Sequence, residues 1–198
     1  LPILWERHGR FMVEEALAEM KGHNVRATVF VEARTMYRVE GQSDMRYVGE
    51  TEFANGQAAM SASGIYGPTR INAGIVGTVD LRRGAVVQDV LEAHMKVASD
   101  RFRGIRQSTT WLDDGPTKQP PTRTKEMMMQ ADFRAGFARL GKLGLSYDSY
   151  LYFPQIPELA DLADKFPDTV IISDHIGGLL GVGNYARSEE HTSELQSH

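Results

Sequence analysis

The chain has 198 residues, 41% apolar and 24% charged, an ordinary composition for a soluble globular protein and enough for one large domain or two small ones. A net charge of −4 gives no electrostatic case for binding nucleic acid, and no apolar run approaches the ~18 to 20 residues needed to span a bilayer. There is no cysteine, so disulfides and thiolate metal sites are excluded, and a reducing, cytoplasmic location is expected.

The first residue is Leu1, with no charged-then-apolar signal segment after it, so the N-terminus reads as a cut end. "FMVEEALAEM" (Phe11–Met20) predicts a helix. "VRATVFVEA" (Val25–Ala33) is β-branched and nearly continuous, which predicts a strand buried on both faces. "TEFANGQAAMSASG" (Thr51–Gly64) predicts the next helix and "RINAGIVGTVDL" (Arg70–Leu81) the second strand. In "GAVVQDVLEAHMKVAS" (Gly84–Ser99), Val86, Val87, Val90, Leu91 and His94 or Met95 recur at the spacing of one helical face.

"FRGIRQSTTW" (Phe102–Trp111) is the third strand. It runs into "LDDGPTKQPPTRTKE" (Leu112–Glu126), a long Pro-rich loop that belongs either to a binding face or to a plain surface excursion. Met127 to Met129 read as adaptable packing material. "DFRAGFARLGKLG" predicts a helix with Phe133, Phe137 and Leu140 inward, ending at Gly141 or Gly144. "LSYDSYLYF" (Leu145–Phe153) is the fourth strand. "IPELADLADKF" is a helix begun by Pro157, with Leu159, Leu162 and Ala163 inward. "TVIISDHIGG" (Thr169–Gly178) completes five strands.

Strand followed by helix, repeated, predicts a parallel sheet with helices outside it, either a (β/α) barrel or an open doubly wound sheet. No G-x-G-x-x-G opens a helix after the first strand, which counts against a dinucleotide-binding version. In such folds the chemistry sits at the carboxyl ends of the strands. That rule selects Glu32, Arg106, Gln107, Tyr152 and His175, with Asp80 as a weaker addition.

His175 is the sharpest of these. It follows two isoleucines and Asp174, and two glycines after it allow a close backbone approach. An imidazole there can bind a metal, hold a substrate oxygen or move a proton, or can simply bond a loop carbonyl. Arg103 and Arg106 are three apart on a strand, so only one points inward. Arg106 is nearer the strand's end and better placed to grip a carboxylate or lactone oxygen, although pairing with an acid is equally consistent. Tyr150 and Tyr152 share a face, and one of them can be pure packing. Glu32 closes an apolar strand and needs a partner, whether metal, substrate or an arginine such as Arg106. His8, His23 and His94 fit surface or packing roles. No H-x-H, H-E-x-x-H or G-x-S-x-G is present.

Four stretches, "HNVRATVFVEARTMYR", "VGETEFANGQAAMSASGIYGPTRINAGIVGTVDL", "RFRGIRQS" and "LGLSYDSYLYFPQIPELADLADKFPDTVIISDHIGGLLGVGNYA", taken together resemble the amidohydrolase superfamily. The resemblance is strongest to its branch of metal-dependent TIM-barrel hydrolases, which includes sugar lactonases and a pyrone dicarboxylate lactonase. It implies a distorted (β/α)8 barrel in which water attacks an ester or lactone carbonyl, activated by one divalent metal (zinc or similar) or by an acidic residue without metal. It implies that His175 contacts metal or substrate and that Arg106 and Tyr152 contact substrate. Gln107 stands where relatives often carry His.

The family's first-strand H-x-H pair and last-strand Asp base are missing here. The resemblance therefore implies an α/β, partial TIM barrel holding about strands 2 to 6, over residues 1–186. A complete barrel runs to ~250 residues, so the chain by itself is expected to show no hydrolysis. A metal-dependent decarboxylase and a non-catalytic small-molecule-binding domain are the alternatives. Small-molecule substrates are the expected partners, without nucleic acid or membrane. The tail "RSEEHTSELQSH" (Arg187–His198) resembles one reading frame of a sequencing adapter, which would remove His191 and His198 as ligands.

Overall fold

Strand and helix alternate along the chain, as the apolar patterning predicts. The structure, a computed structural model, describes residues 10–113 and 123–179. The Pro-rich segment 114–122 and the tail Arg187–His198 lie outside the described residues, as does His8. The order is α1 (Val13–Glu19), β1 (Ala27–Val31), α2 (Val48–Ala62), β2 (Arg70–Gly77), α3 (Val87–Val97), β3 (Phe102–Ser108), α4 (Ala131–Leu143), β4 (Ser146–Tyr150), α5 (Ile156–Lys165), β5 (Ile171–Ser173) and a final turn, His175–Gly178. The strands neighbour one another in chain order, and the pairs β1/β2, β2/β3 and β4/β5 are parallel. Sequential order without a switch point is barrel topology, so the fold is α/β, a partial (β/α) barrel. No helix among the described residues is long and apolar enough to cross a membrane.

The chain divides into two compact units. The first, residues 1–79 and 88–105, contains β1, β2 and the start of β3. Ile71, Ile75 and Val76 of β2 are buried, as are Ala54 and Ala58 of α2 and Leu91 of α3. β1 corrects the expectation of a strand buried on both faces: Val29 is 60% exposed. Among the described residues its ladder runs only to β2, so a continuous β-branched sequence here marks an edge. Val86 is also exposed, because the helix begins one residue later, after a 3₁₀ turn over Leu81–Val86 in which Gly84 takes φ +66. His94, by contrast, is fully buried on α3.

The second unit, residues 80–87 and 106–198, is built around α4. Phe133 and Phe137 meet the ring of Tyr147 on β4 edge-on, with centroids 6.2 and 5.2 Å away. Gly136 faces the Leu81–Val86 turn so closely that a Cβ would overlap the Leu81 carbonyl oxygen. α4 ends at Gly144, in the left-handed region at φ +67, where glycine adds no steric cost. Met127 and Met128 are buried and Met129 is exposed. In α5, Leu159 and Leu162 face inward as expected, whereas Ala163 is exposed. β5 departs from the expected buried strand, since Ile172 is 45% exposed.

Candidate active site

The packing of Tyr147 against Phe133 and Phe137 turns one face of β4 toward α4. Alternation therefore sends Asp148 and Tyr150 to the other face, and that is where the polar side chains of the second unit gather. Arg106, near the end of β3, lies with Nη1 3.6 Å from Oδ2 of Asp174, the residue that follows β5. Asp148 sits opposite Ile172 in the β4/β5 register, so Asp174 is its diagonal neighbour. Arg103, on the other face of β3, is exposed and bonds the carbonyls of Asp100 and Phe102.

Asp148 is only 6% exposed. Burial pushes its carboxyl up to about 6, the Asp174 carboxylate adds to the rise, and Arg106 opposes it. Its Oδ1 and the Oδ2 of Asp174 are both closed to solvent and accept no hydrogen bond among the described residues. Two buried acceptors left open within one site are an unusual expense in a folded protein.

The turn after β5 presents His175. Its backbone is anchored by Asp174 N–H donating to the Ser149 carbonyl and Gly177 N–H donating to the Asp174 carbonyl, both at 3.0 Å. His175, Ile176, Gly177 and Gly178 all have positive φ, at 53°, 55°, 79° and 51°. For His175 and Ile176 that conformation costs roughly 1 to 2 kcal/mol each. The glycine pair does what its place in the sequence predicts, because a Cβ at Gly178 would overlap the Leu151 carbonyl oxygen. The exposed imidazole of His175 meets the Tyr150 ring edge-on at 5.3 Å.

Tyr152 lies past the end of β4, as the residue capping the 3₁₀ turn Phe153–Gln155, and its ring comes up to Gly178. Gln107 and Asp80 form a brace. Gln107 Oε1 accepts from the Leu81 N–H at 2.9 Å, and its Nε2 donates to Asp80 at 3.1 Å. Burial works to raise the Asp80 carboxyl, but the Arg82 guanidinium and backbone N–H, with Gln107, bring it below the usual carboxylate range. A residue locked into both strand-end segments in this way is positioned for support. Glu32 is buried immediately after β1, in the first unit, where its N–H donates to the Val76 carbonyl.

Asp148 is the member the sequence reading passed over, while Asp174 and Tyr150 were named there without being selected. Alternation in "LSYDSY" carries a signal for Asp148, since it lies opposite in phase to the packed Tyr147. The resemblance also implies a divalent metal in some relatives, with His175 as a ligand. Among the described residues no three His, Asp or Glu side chains converge, and the carboxylate beside His175 faces Arg106.

The profile of the amidohydrolase family matches residues 2–198. An uncharacterized protein of Sinorhizobium fredii, y4mH, is 34% identical over 167 residues, covering 84% of this chain and 50% of that protein. The crystal structure of an amidohydrolase from Burkholderia multivorans with bound HEPES superposes with a TM-score of 0.52 at 20% identity, covering 84% of this chain and 47% of that one. The chain thus spans about half the length of the relatives it matches.

Proposed function

The chain belongs to the amidohydrolase family, and on that premise we propose that it supplies the substrate-binding wall of a hydrolase that opens a small lactone or ester with water. The observation that carries the proposal is the convergence of Arg106, Asp148, Tyr150 and the Asp174–His175 turn at the carboxyl ends of three consecutive strands.

In this reading Arg106 holds an oxygen of the substrate and stabilises charge that grows on it as water adds to the carbonyl. His175, exposed at the tip of its turn, contacts the same substrate and is placed to move a proton to or from it. Tyr150 supports the imidazole edge-on, and Tyr152 bounds the substrate beside Gly178. The base that activates water is assigned to a part of the parent protein beyond these residues, as the family resemblance implies.

The test uses the full-length protein that carries this chain. Lactones, esters and aromatic or enol carboxylates are presented in parallel, and acid release and carbon dioxide release are both followed. Hydrolysis of a lactone or ester is expected, with kcat/KM lowered on the order of 100-fold by Arg106→Lys or His175→Asn. Carbon dioxide release without hydrolysis would favour a decarboxylase, and hydrolysis unmoved by both substitutions would sink the site assignment.

A further inference from the structure

The ends of α4 and α5 border a cleft of about 300 Å³, closed on its third side by the segment that leads into β5. That volume stands at the small end of the range for ligand pockets, ~300 to 1,000 Å³. β4 and β5 are parallel and each helix runs back to the start of the next strand, so the cleft sits at their amino-terminal ends. The length of β4, on the order of 15 Å, separates it from Asp174 and His175. Its floor is fixed. The Thr169 side chain packs on α4 so closely that a Cβ at Gly141 would come within 2.7 Å of Thr169 Oγ1. Thr169 N–H donates to the Phe166 carbonyl at 3.0 Å, and the Phe166 ring packs on Phe137 with centroids 5.0 Å apart. Ala138 and Phe166 give the cleft an apolar wall.

Charge is arranged around that wall. Lys142 and Lys165, in the last turns of α4 and α5, line the cleft together with one acid, Asp168. Neither lysine nor Asp168 has an ion-pair partner among the described residues, and the Thr169 hydroxyl makes no hydrogen bond among them. Helix dipoles favour a cation at each of these ends, but the last carbonyls already have partners. Gly144 N–H bonds the Gly141 carbonyl, Leu145 N–H that of Leu140, and Phe166 N–H those of Leu162 and Ala163. The ammonium groups are therefore not consumed by the helix ends. Two cations against one acid leave a single positive charge, which suits a monoanion better than a phosphate dianion. We propose that this cleft is a second binding site, remote from the strand-end site, for a small carboxylate with an apolar body. Lys142 and Lys165 meet the carboxylate, the Thr169 hydroxyl donates to it, and the hydrocarbon lies on Ala138 and Phe166. Such a site is independent of the hydrolase reading.

Benzoate is titrated into the full-length protein that carries this chain, with benzyl alcohol and benzylamine as its neutral and cationic counterparts. The Ala138 methyl resonance is followed by NMR, because that methyl lines this cleft and benzoate caught at the strand-end site would leave it unmoved. Benzoate is expected to shift the resonance saturably and to bind about fivefold or more tighter than either counterpart. Lys142→Ala combined with Lys165→Ala should weaken benzoate about fivefold or more, whereas Lys142→Arg with Lys165→Arg should keep it. Both lysines are exposed, so neither pair of substitutions disturbs the core. Should the alanine pair fail to fold, the order of the three probes on the unaltered protein decides by itself. The proposal is overturned by no saturable shift of Ala138, by benzyl alcohol or benzylamine binding as tightly as benzoate, or by an affinity unchanged in the alanine pair.

Discussion

Arg106 on β3 spans β4 to meet Asp174 beyond β5, and Asp148 on the intervening strand lies in the field of both. One guanidinium thus serves two carboxylates. Replacing Arg106 with Met would leave like charges facing each other in a half-buried setting. The expected loss is about 1 to 2 kcal/mol at pH 7, below that of a fully buried pair because Arg106 is partly exposed. The loss should be smaller at pH 4, where protonation relieves the repulsion. Urea unfolding at both pH values checks it.

His94 makes a second contribution that is lost in acid, for a different reason. Its Nε2 faces the Thr78 carbonyl at 3.2 Å and so must donate, which leaves Nδ1 to accept from the Thr51 hydroxyl at 2.7 Å. The ring is buried, stacks on Phe102 at 5.0 Å, and its pKa is pushed down to about 4, chiefly by burial. The unfolded chain therefore binds a proton that the folded one refuses between pH 6.5 and about 4. The stability this group contributes is present in full above pH 6.5 and falls away as pH drops through that window, by on the order of 3 kcal/mol. His94→Gln should flatten this part of a stability-against-pH curve; an unchanged slope would show that another group carries it.

Two glycines in helices should respond to alanine in opposite directions. Gly136 of α4 has no room, because a Cβ would overlap the Leu81 carbonyl oxygen. Gly136→Ala is expected to destabilise by about 1 to 3 kcal/mol as α4 and the Leu81–Val86 turn are forced apart. Gly56 of α2 has nothing within 4 Å of a Cβ, so Gly56→Ala should stabilise by about 0.5 to 1 kcal/mol through helix propensity. Thermal melts of the two variants give the comparison.

Gln155 ties the segment after β3 to the segment after β4. Its Oε1 accepts from Trp111 N–H at 2.8 Å and Tyr152 N–H at 3.3 Å, and its Nε2 donates to the Thr109 carbonyl at 2.8 Å. The side chain is buried, so Gln155→Ala leaves these backbone groups without partners, at a cost of about 2 to 3 kcal/mol. Gln155→Glu keeps an acceptor but loses the donor to Thr109 and should also destabilise. Hydrogen exchange at the Trp111 and Tyr152 amides is the local readout, and protection unchanged in Gln155→Ala would refute the clamp.

Much of this architecture is legible in the sequence because it depends on local spacing. Phe133, Phe137 and Leu140 recur at helical intervals and are buried together. Arg103 and Arg106 must point to opposite faces of a strand, and they do. The glycine pair after His175 marks a turn that approaches the backbone of β4, and a Cβ at Gly178 has no space there.

What spacing leaves open is which strand stands beside which, and how far along. The continuous apolar runs of β1 and β5 look like buried strands, yet Val29 and Ile172 are largely exposed, since burial of a strand depends on the neighbours that cover it. Gln107 reads as a strand-end candidate, but the fold gives it to Leu81 and Asp80 as a brace. Asp148 reads as one polar residue in an alternating strand, and nothing local says what it faces. The sequence by itself determined the alternation of strands and helices, their inward faces and the strand-end position of Arg106 and His175, because those follow from periods of two and 3.6 residues. Only the tertiary structure decided that Arg106, Asp148 and Asp174 share one site with two acceptors still open, because that depends on the order and register of three strands far apart in the chain.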